Sequence, residues 1–360
     1  MKSKITKIKW AKNLSMDDWG LARKKIEGIG DPDIVRIGAS DVSVITGTNR
    51  WKCPMRLFYH LTGYHHSFFI TETTLAGHLQ EPITISRWES FDPNSEEQSY
   101  INALNKVKLR KTSKAEYFLL NSAYPHSFLS LDYTPKGKQF SPFTGEQYAP
   151  LTPIELKHSN AQYVMKWPDG IAAQYYDQIL YQCLLTNTPL AVFLVLIDGV
   201  KFKAKEIEAN PIRQQFIIEQ VNLFAEKVKI GKMALQGMKE AELAGDMEEY
   251  AAFHAIFESV TPEPVGMVSS DGTDGDNVEL LKEVYDDSNG LEKQGDDTDE
   301  YHMNQYLKCN SLLNKIKDYK DLLKARILLA CEDFEGLKAG DRKCINRRPT
   351  NLKKGYFSIK

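Results

Sequence analysis

The chain has 360 residues, 42% hydrophobic and 26% charged, which is the makeup of a globular protein with one large domain or two ordinary ones. No apolar run reaches membrane-span length; the longest, Leu190 to Ile197, has the length of a buried strand. The N-terminal "MKSKITKIKW" is basic without the apolar core of a secretion signal, so a cytosolic location and no membrane partner are expected.

The net charge of −2 is unevenly spread. Of 48 acidic and 46 basic residues, 13 and 2 lie between Glu263 and Glu300, so the rest carries 35 against 44 and is basic by 9. A basic body suits a polyanionic partner such as nucleic acid. The five cysteines are scattered, without C-x-x-C spacing, and read as reduced thiols rather than a metal or iron–sulfur site.

Along the chain, "SMDDWGLARKKIEG" predicts a helix capped by Ser15, broken after Gly28, Gly30 and Pro32. In residues 38–62 a short helix is expected from Ser40 as N-cap, a turn near Gly47, and a second helix with Pro54 in its first turn. Residues 75–90 predict a helix with Pro82 early or at a kink. "AEYFLLNS" and "SFLSLDYT" read as strands, Pro135 to Pro150 as a polar loop, and "LTPIELKH" as the next strand. Residues 170–187 form an amphipathic pattern, and "PLAVFLVLIDG" with "VKFKAKEIEA" reads as a hairpin turned at Asp198-Gly199. Residues 211–258 read as helical, 263–300 as a flexible acidic segment, 301–335 as helical again, and the end as a basic strand-like tail.

Glu155-Leu156-Lys157 carries the chemistry. On a strand, residues two apart share a face, so Glu155 and Lys157 project together. If the strand bearing Asp132 is their neighbour, two carboxylates and an ammonium meet. Phosphodiester hydrolysis uses that grouping: carboxylates hold Mg²⁺ or Mn²⁺, and a lysine orients water or offsets charge. Glu81, from the upstream helix, adds another acid. The tripeptide alone is more often an ordinary strand edge, and a serine at Ser40 is more often a simple cap. His65, His66 and His158 read as surface histidines.

At these residues the chain resembles the YqaJ-type viral recombinases, the group that includes phage lambda exonuclease, within the PD-(D/E)XK nuclease fold. "RIGASDVSVITGTNRWKCPMRLFYHLTG" resembles the family's N-terminal segment, "GHLQEP" its acid-bearing helix at Glu81, "LDYT" its acid strand at Asp132, "IELKH" its E-x-K strand, and "QYYDQILYQCLLT" its Y-x-x-Q helix at Tyr175 and Gln178. The resemblance spans roughly residues 19–210. Tyr133 stands where the family often has glycine, and the loop from Tyr133 to Ile154 is longer than usual.

The resemblance implies an α/β (α+β) fold with a central mixed sheet flanked by helices. With the composition, the chain divides into a nuclease domain over 1–258, an acidic linker or insertion over 259–300 that has no counterpart in the family, and a helical segment with a basic tail over 301–360 like the C-terminal extension of some members. The resemblance further implies a phage- or prophage-encoded, Mg²⁺- or Mn²⁺-dependent 5′→3′ exonuclease on linear double-stranded DNA ends. The product would be a 3′ overhang used by a single-strand annealing protein, and the enzyme a homo-oligomeric ring, in relatives often a trimer. Asp132, Glu155 and the Leu156 carbonyl would hold metal, with Glu81 at a second metal or a water. Lys157 would hold the attacking water, and Gln178 would bridge the site. Arg23 (with Trp19 in a W-x-x-x-R element) and Ser40 would bind a DNA 5′-phosphate, Trp51 would stack on a terminal base, and Tyr175 would pack or touch phosphate. The acidic segment is open to a DNA-mimicking role or that of a plain linker.

Two other functions compete. An endonuclease or end-processing enzyme of the same fold would want a dedicated recognition domain, and none is apparent. A non-catalytic DNA-end-binding module would lack an acid or the lysine, and all three are present. The gaps of 22 and 13 residues between Cys309, Cys331 and Cys344 argue against the iron–sulfur nucleases of this fold.

Overall fold

The structure is a computed structural model, and it describes residues 4–10, 15–65, 72–263, 276–285, 297–331, 336–339, 342–347 and 356–359. The elements run β1 (Ile5–Lys9), α1 (Met16–Glu27), β2 (Ile37–Gly38), α2 (Val42–Ile45), α3 (Pro54–Thr62), α4 (Glu72–Glu89) and α5 (Glu96–Leu104). Next come β3 (Thr112–Lys114), β4 (Tyr117–Asn121), β5 (Ser127–Ser130), β6 (Tyr133–Pro135), β7 (Ile154–Ser159), α6 (Ala161–Val164), α7 (Ala173–Thr186), β8 (Leu190–Ile197) and β9 (Lys201–Glu208). The chain continues through α8 (Pro211–Ala244), α9 (Met247–Val260), α10 (Asp276–Val284), α11 (Asp297–Cys331), β10 (Gly336–Ala339), β11 (Arg342–Arg347) and β12 (Tyr356–Ile359). It divides into two units, residues 1–286 and 287–360.

The first unit holds two mixed sheets flanked by helices, as the resemblance implied. One is ordered β1-β4-β5-β2 and the other β3-β6-β7-β8-β9. In the larger sheet β7 and β8 are parallel and the other pairs antiparallel. A parallel pair needs a crossover, and α7 is its helix. β8 is buried on both faces from Ala191 to Ile197, which is why it reads as an unbroken apolar run. On one side Ile85 and Trp88 of α4 pack on Ile154, Leu156, Val192 and Leu194; on the other, α7 and α8 close the main core. Each buried aliphatic side chain contributes about 1.5–3 kcal/mol.

Local signals behave as the physics predicts. Ser15 Oγ accepts from the Asp18 N–H at the start of α1, and Pro54 opens α3. The β8–β9 turn places Asp198 and Gly199 at φ of 51° and 70°, the left-handed pair a tight hairpin requires. Gly28 closes α1 at φ 81°, with its would-be Cβ only 2.1 Å from the Ile34 carbonyl oxygen.

Five expectations need correction. The N-terminal residues include β1, an edge strand with one exposed face after another and hence no alternation to read. Ser40 is not an N-cap: Ala39–Asp41 form a 3₁₀ turn, and no side chain caps α2. "SFLSLDYT" is two strands, with Leu131 and Asp132 at the break where the chain passes from one sheet to the other. The helical stretch 211–258 is two helices, because Gly245 turns left-handed and Asp246 caps α9 through the Glu248 and Glu249 N–H groups. Within the acidic stretch, α10 is helical and its Glu283 pairs with Arg56 of α3 at 2.8 Å. The rest of that stretch, 264–275 and 286–296, lies outside the described residues, as does His66.

In the second unit α11 is a 35-residue helix, and β10, β11 and β12 form an antiparallel sheet. No described helix is long and apolar enough to cross a membrane.

Candidate active site

A cleft of about 470 Å³ opens between α4 and the carboxyl ends of β7 and β8. Glu81, Asp132, Leu156, Lys157 and His158 line it, together with Gly77, Ser159 and Asp198. Crevices at the carboxyl ends of parallel strands are the usual ligand sites of open α/β sheets.

The site is assembled from the strand break upward. β6 pairs with β7 at Tyr133 opposite Ile154, which brings Asp132 beside the E-x-K strand. Asp132 Oδ2 accepts the Leu156 N–H at 2.9 Å, locking acid to strand. Glu155 is 2% exposed and Lys157 Nζ contacts its Oε1. Gln178 on α7 donates to the same oxygen at 2.6 Å, and Gln182, one turn further on, donates to Oε2 at 2.6 Å. Residues four apart share a helix face, so α7 presents two amides to one buried carboxylate. The Gln182 Oε1 has no hydrogen-bond partner among the described residues.

Electrostatics follow from this crowding. Burial, and then the Glu155 charge, raise the Asp132 pKa well above the ordinary carboxylate range; Lys157 and the Leu156 N–H oppose the shift. Burial disfavours the Lys157 ammonium, but Glu155 and Asp132 outweigh it and hold the group charged. Lys157 also sits 5.1 Å from the Tyr175 ring centre. Tyr175 in turn packs against Trp167 and Phe193.

Glu81 lines the cleft but is not joined to the other two acids. His78 contacts its Oε1 at 2.7 Å, and Lys114 of β3 donates to Oε2 at 2.9 Å. Among the described residues, no group of three or more His, Cys, Asp or Glu side chains is placed to hold a metal. The donors present are two carboxylates and the main chain at Leu156. These oxygens are hard, and Asp132 is so desolvated beside Glu155 that a cation is the natural compensation; the set fits Mg²⁺ or Mn²⁺.

The remaining predicted residues lie elsewhere. Arg23 donates to Glu27 and Asp41 at 2.6 Å each and reaches Ser40 at 3.4 Å, so the structure brings Arg23 and Ser40 together beside two acids. Burial disfavours the Arg23 charge, yet Asp41 and Glu27 raise its pKa. Trp51 is 44% exposed, with Tyr163 as its aromatic neighbour. Sequence reasoning missed Gln182, Lys114 and His158. His158 is half-buried, not a surface residue, and shares a hydrogen bond with Thr84 of α4 at 2.8 Å. Its position three residues after Glu155 was the only available signal. Among the described cysteines, Cys53 and Cys183 are buried and Cys309 is exposed, and none of the three is in a disulfide.

The sequence model of the YqaJ-like viral recombinase domain matches residues 18–189. The uncharacterized protein YqaJ of Bacillus subtilis is 28% identical over 240 residues, covering 64% of this chain and 63% of that protein. Among solved structures, the alkaline exonuclease LHK-Exo from Laribacter hongkongensis is similar at TM-score 0.44 and 15% identity, covering 63% of this chain and all of that one. Its complex with dAMP gives 0.42 and 14% over 63% of this chain and, again, all of that one. Residues 18–189 are therefore similar to the YqaJ-like viral recombinase domain.

Proposed function

We propose that the protein is a Mg²⁺- or Mn²⁺-dependent exonuclease that digests one strand of linear duplex DNA from its 5′ end and leaves a 3′ overhang. The observation that carries this is the meeting of Asp132, at the strand break, with Glu155 and Lys157 of β7, beside a cleft that Asp132 and Lys157 line. Asp132, Glu155 and the Leu156 carbonyl are the groups that would hold the cation. When bound, it polarises the scissile phosphate and lowers the pKa of a water. Gln178 and Gln182 fix the Glu155 carboxylate so that its oxygens do not wander. Lys157 orients the water and offsets charge on the phosphate. Glu81 would act from the cleft wall, through a water or a second cation. Arg23 has one guanidinium nitrogen, Nη1, with no hydrogen bond among the described residues, which leaves it free to meet a DNA 5′-phosphate with Ser40. Trp51 and Tyr175 would contact DNA near its end.

In this reading the overhang serves recombination of the phage type, with a single-strand annealing protein as partner and a homo-oligomeric ring, such as a trimer, as the working form. The nuclease would occupy residues 1–258, with 259–300 linking it to the C-terminal segment 301–360. The test is linear duplex labelled at one 5′ or one 3′ end, incubated with Mg²⁺ or EDTA, beside Lys157→Ala. Metal-dependent loss from the 5′ end that disappears in Lys157→Ala supports the proposal. Intact DNA, or digestion indifferent to Lys157, leaves a binding module or a simple strand edge.

A further inference from the structure

The larger sheet carries a row of cations that the proposed reaction does not use. β9 begins Lys201-Phe202-Lys203-Ala204-Lys205; its three lysines are exposed and the two residues between them are half-buried. Alternation places the lysines on one face of the strand, and the register says which. Lys201, Lys203 and Lys205 stand opposite Ile197, Val195 and Phe193 of β8. Those residues stand opposite Ser159, Lys157 and Glu155 of β7. Partners across a ladder point to the same side, so the lysine row shares its sheet face with Glu155 and Lys157, level with them and two strands, about 10 Å, away.

Two contacts support this assignment independently. Phe193 packs on Tyr175 of α7, the helix that also bonds Glu155. Lys205 Nζ donates to the Asp169 carbonyl at 2.6 Å, just before α7 in the same crossover. The row therefore starts near the hairpin turn at Asp198 and Gly199, which rims the cleft, and runs along the open edge of the sheet.

Lysines at every second strand residue repeat at about 6.8 Å, close to the interval between successive phosphates along a nucleic-acid strand. Among the described residues, neither Lys201 nor Lys203 has a carboxylate within ion-pair distance. Edge-strand lysines also discourage sheet-to-sheet pairing. That use requires charge on the edge but neither a particular face nor a level shared with Glu155 and Lys157.

We propose that Lys201, Lys203 and Lys205 form a track for the phosphate backbone of one DNA strand running from the cleft, an inference that rests on the nuclease reading above. The test is binding of the full chain to a fluorescent duplex with a single-stranded tail, followed by anisotropy across a salt titration in EDTA, so that no cleavage contributes. For the triple variant K201Q/K203Q/K205Q, affinity at low salt should fall at least tenfold. The slope of log K against log salt should become shallower by about 2, at about 0.7 per phosphate contact on a single strand. The double variant K201Q/K203Q, which spares the Lys205 bond to Asp169, should lose about 1.4 of slope. Wild-type affinity and slope in a soluble double variant overturn the track, including the case where the triple variant only aggregates. Wild-type protein that fails to bind DNA overturns the nuclease reading as well, whereas equal binding by wild type and variants overturns the track alone.

Discussion

Gln182→Met separates positioning from stability at one atom pair. Gln182 is fully buried, and its amide donates to Glu155 Oε2 at 2.6 Å while its own Oε1 has no partner among the described residues. The orientation is fixed by the partner, since a flipped amide would set oxygen against oxygen. Removing the amide forfeits a hydrogen bond to a buried carboxylate, a loss of about 1.5–3 kcal/mol. It also removes an unsatisfied buried carbonyl, a gain of about 1–3 kcal/mol. The two nearly cancel, and methionine is close to glutamine in length and volume, so the net change is within about 1 kcal/mol, or about 2–4 °C in melting temperature. Glu155 keeps Lys157 and Gln178 on Oε1 but loses the one side chain among the described residues that holds Oε2. Loss of such an outer contact costs about 10–100-fold in activity. The assay is duplex digestion and thermal melting on the same preparation, with kcat falling at least tenfold and KM for DNA within about twofold. A kcat within threefold of wild type, or a melting drop beyond 10 °C, refutes the reasoning.

Other consequences follow from the packing. Lys232 is buried, and its ammonium donates to the carbonyls of Gly28, Asp31 and Ile34 at 2.6, 3.0 and 2.7 Å. Burial pushes its pKa down to about 8, against the pull of Asp31 and Glu27. Between that value and the unfolded 10.5 the unfolded chain binds more protons, so stability rises with pH across this window, by up to about 3 kcal/mol. Lys232→Met should cost about 2–4 kcal/mol at pH 7 and abolish that rise; denaturant unfolding at pH 7 to 10 reads both, and an unchanged pH slope contradicts the account. Gly28→Ala meets the Ile34 carbonyl and a left-handed φ, and should cost at least about 3 kcal/mol, seen as a lowered melting temperature. Lys114→Met removes a half-exposed partner of Glu81, so stability should change by less than about 1 kcal/mol. With one cation fewer beside the acids, the Mg²⁺ concentration for half-maximal digestion should fall about threefold, and a rise would contradict this.

Much of this was legible in the sequence where one local rule governed the outcome. Ser15, Pro54 and the Asp198-Gly199 turn each act through their own backbone, and each appears where expected. The two-residue spacing of Glu155 and Lys157 works the same way on β7. What escaped depended on partners distant in sequence. Lys114 reaches Glu81 because β3 pairs with β6, and Gln182 faces Glu155 because α7 crosses from β7 to β8. Neither pairing leaves a periodic trace in its own segment. The Gly245-Asp246 break was readable, since a glycine followed by an aspartate and two glutamates is an end and a new cap; a helix-like composition on both sides hid it.

The break at Asp132 makes the domain unequally tolerant of length changes. The chain between β6 and β7 crosses the surface, and residues added around Gly137 or Gly145 would lengthen a loop whose ends stay where they are. One residue added between Ser130 and Tyr133 is a different event. β5 would keep its pairing in one sheet while β6 slipped by one in the other, turning each side chain to the opposite face. Asp132 would lose the Leu156 N–H and leave the cleft, although both sheets could still form. Across relatives of this domain, the loop should therefore vary freely in length, and the two residues joining the sheets should not.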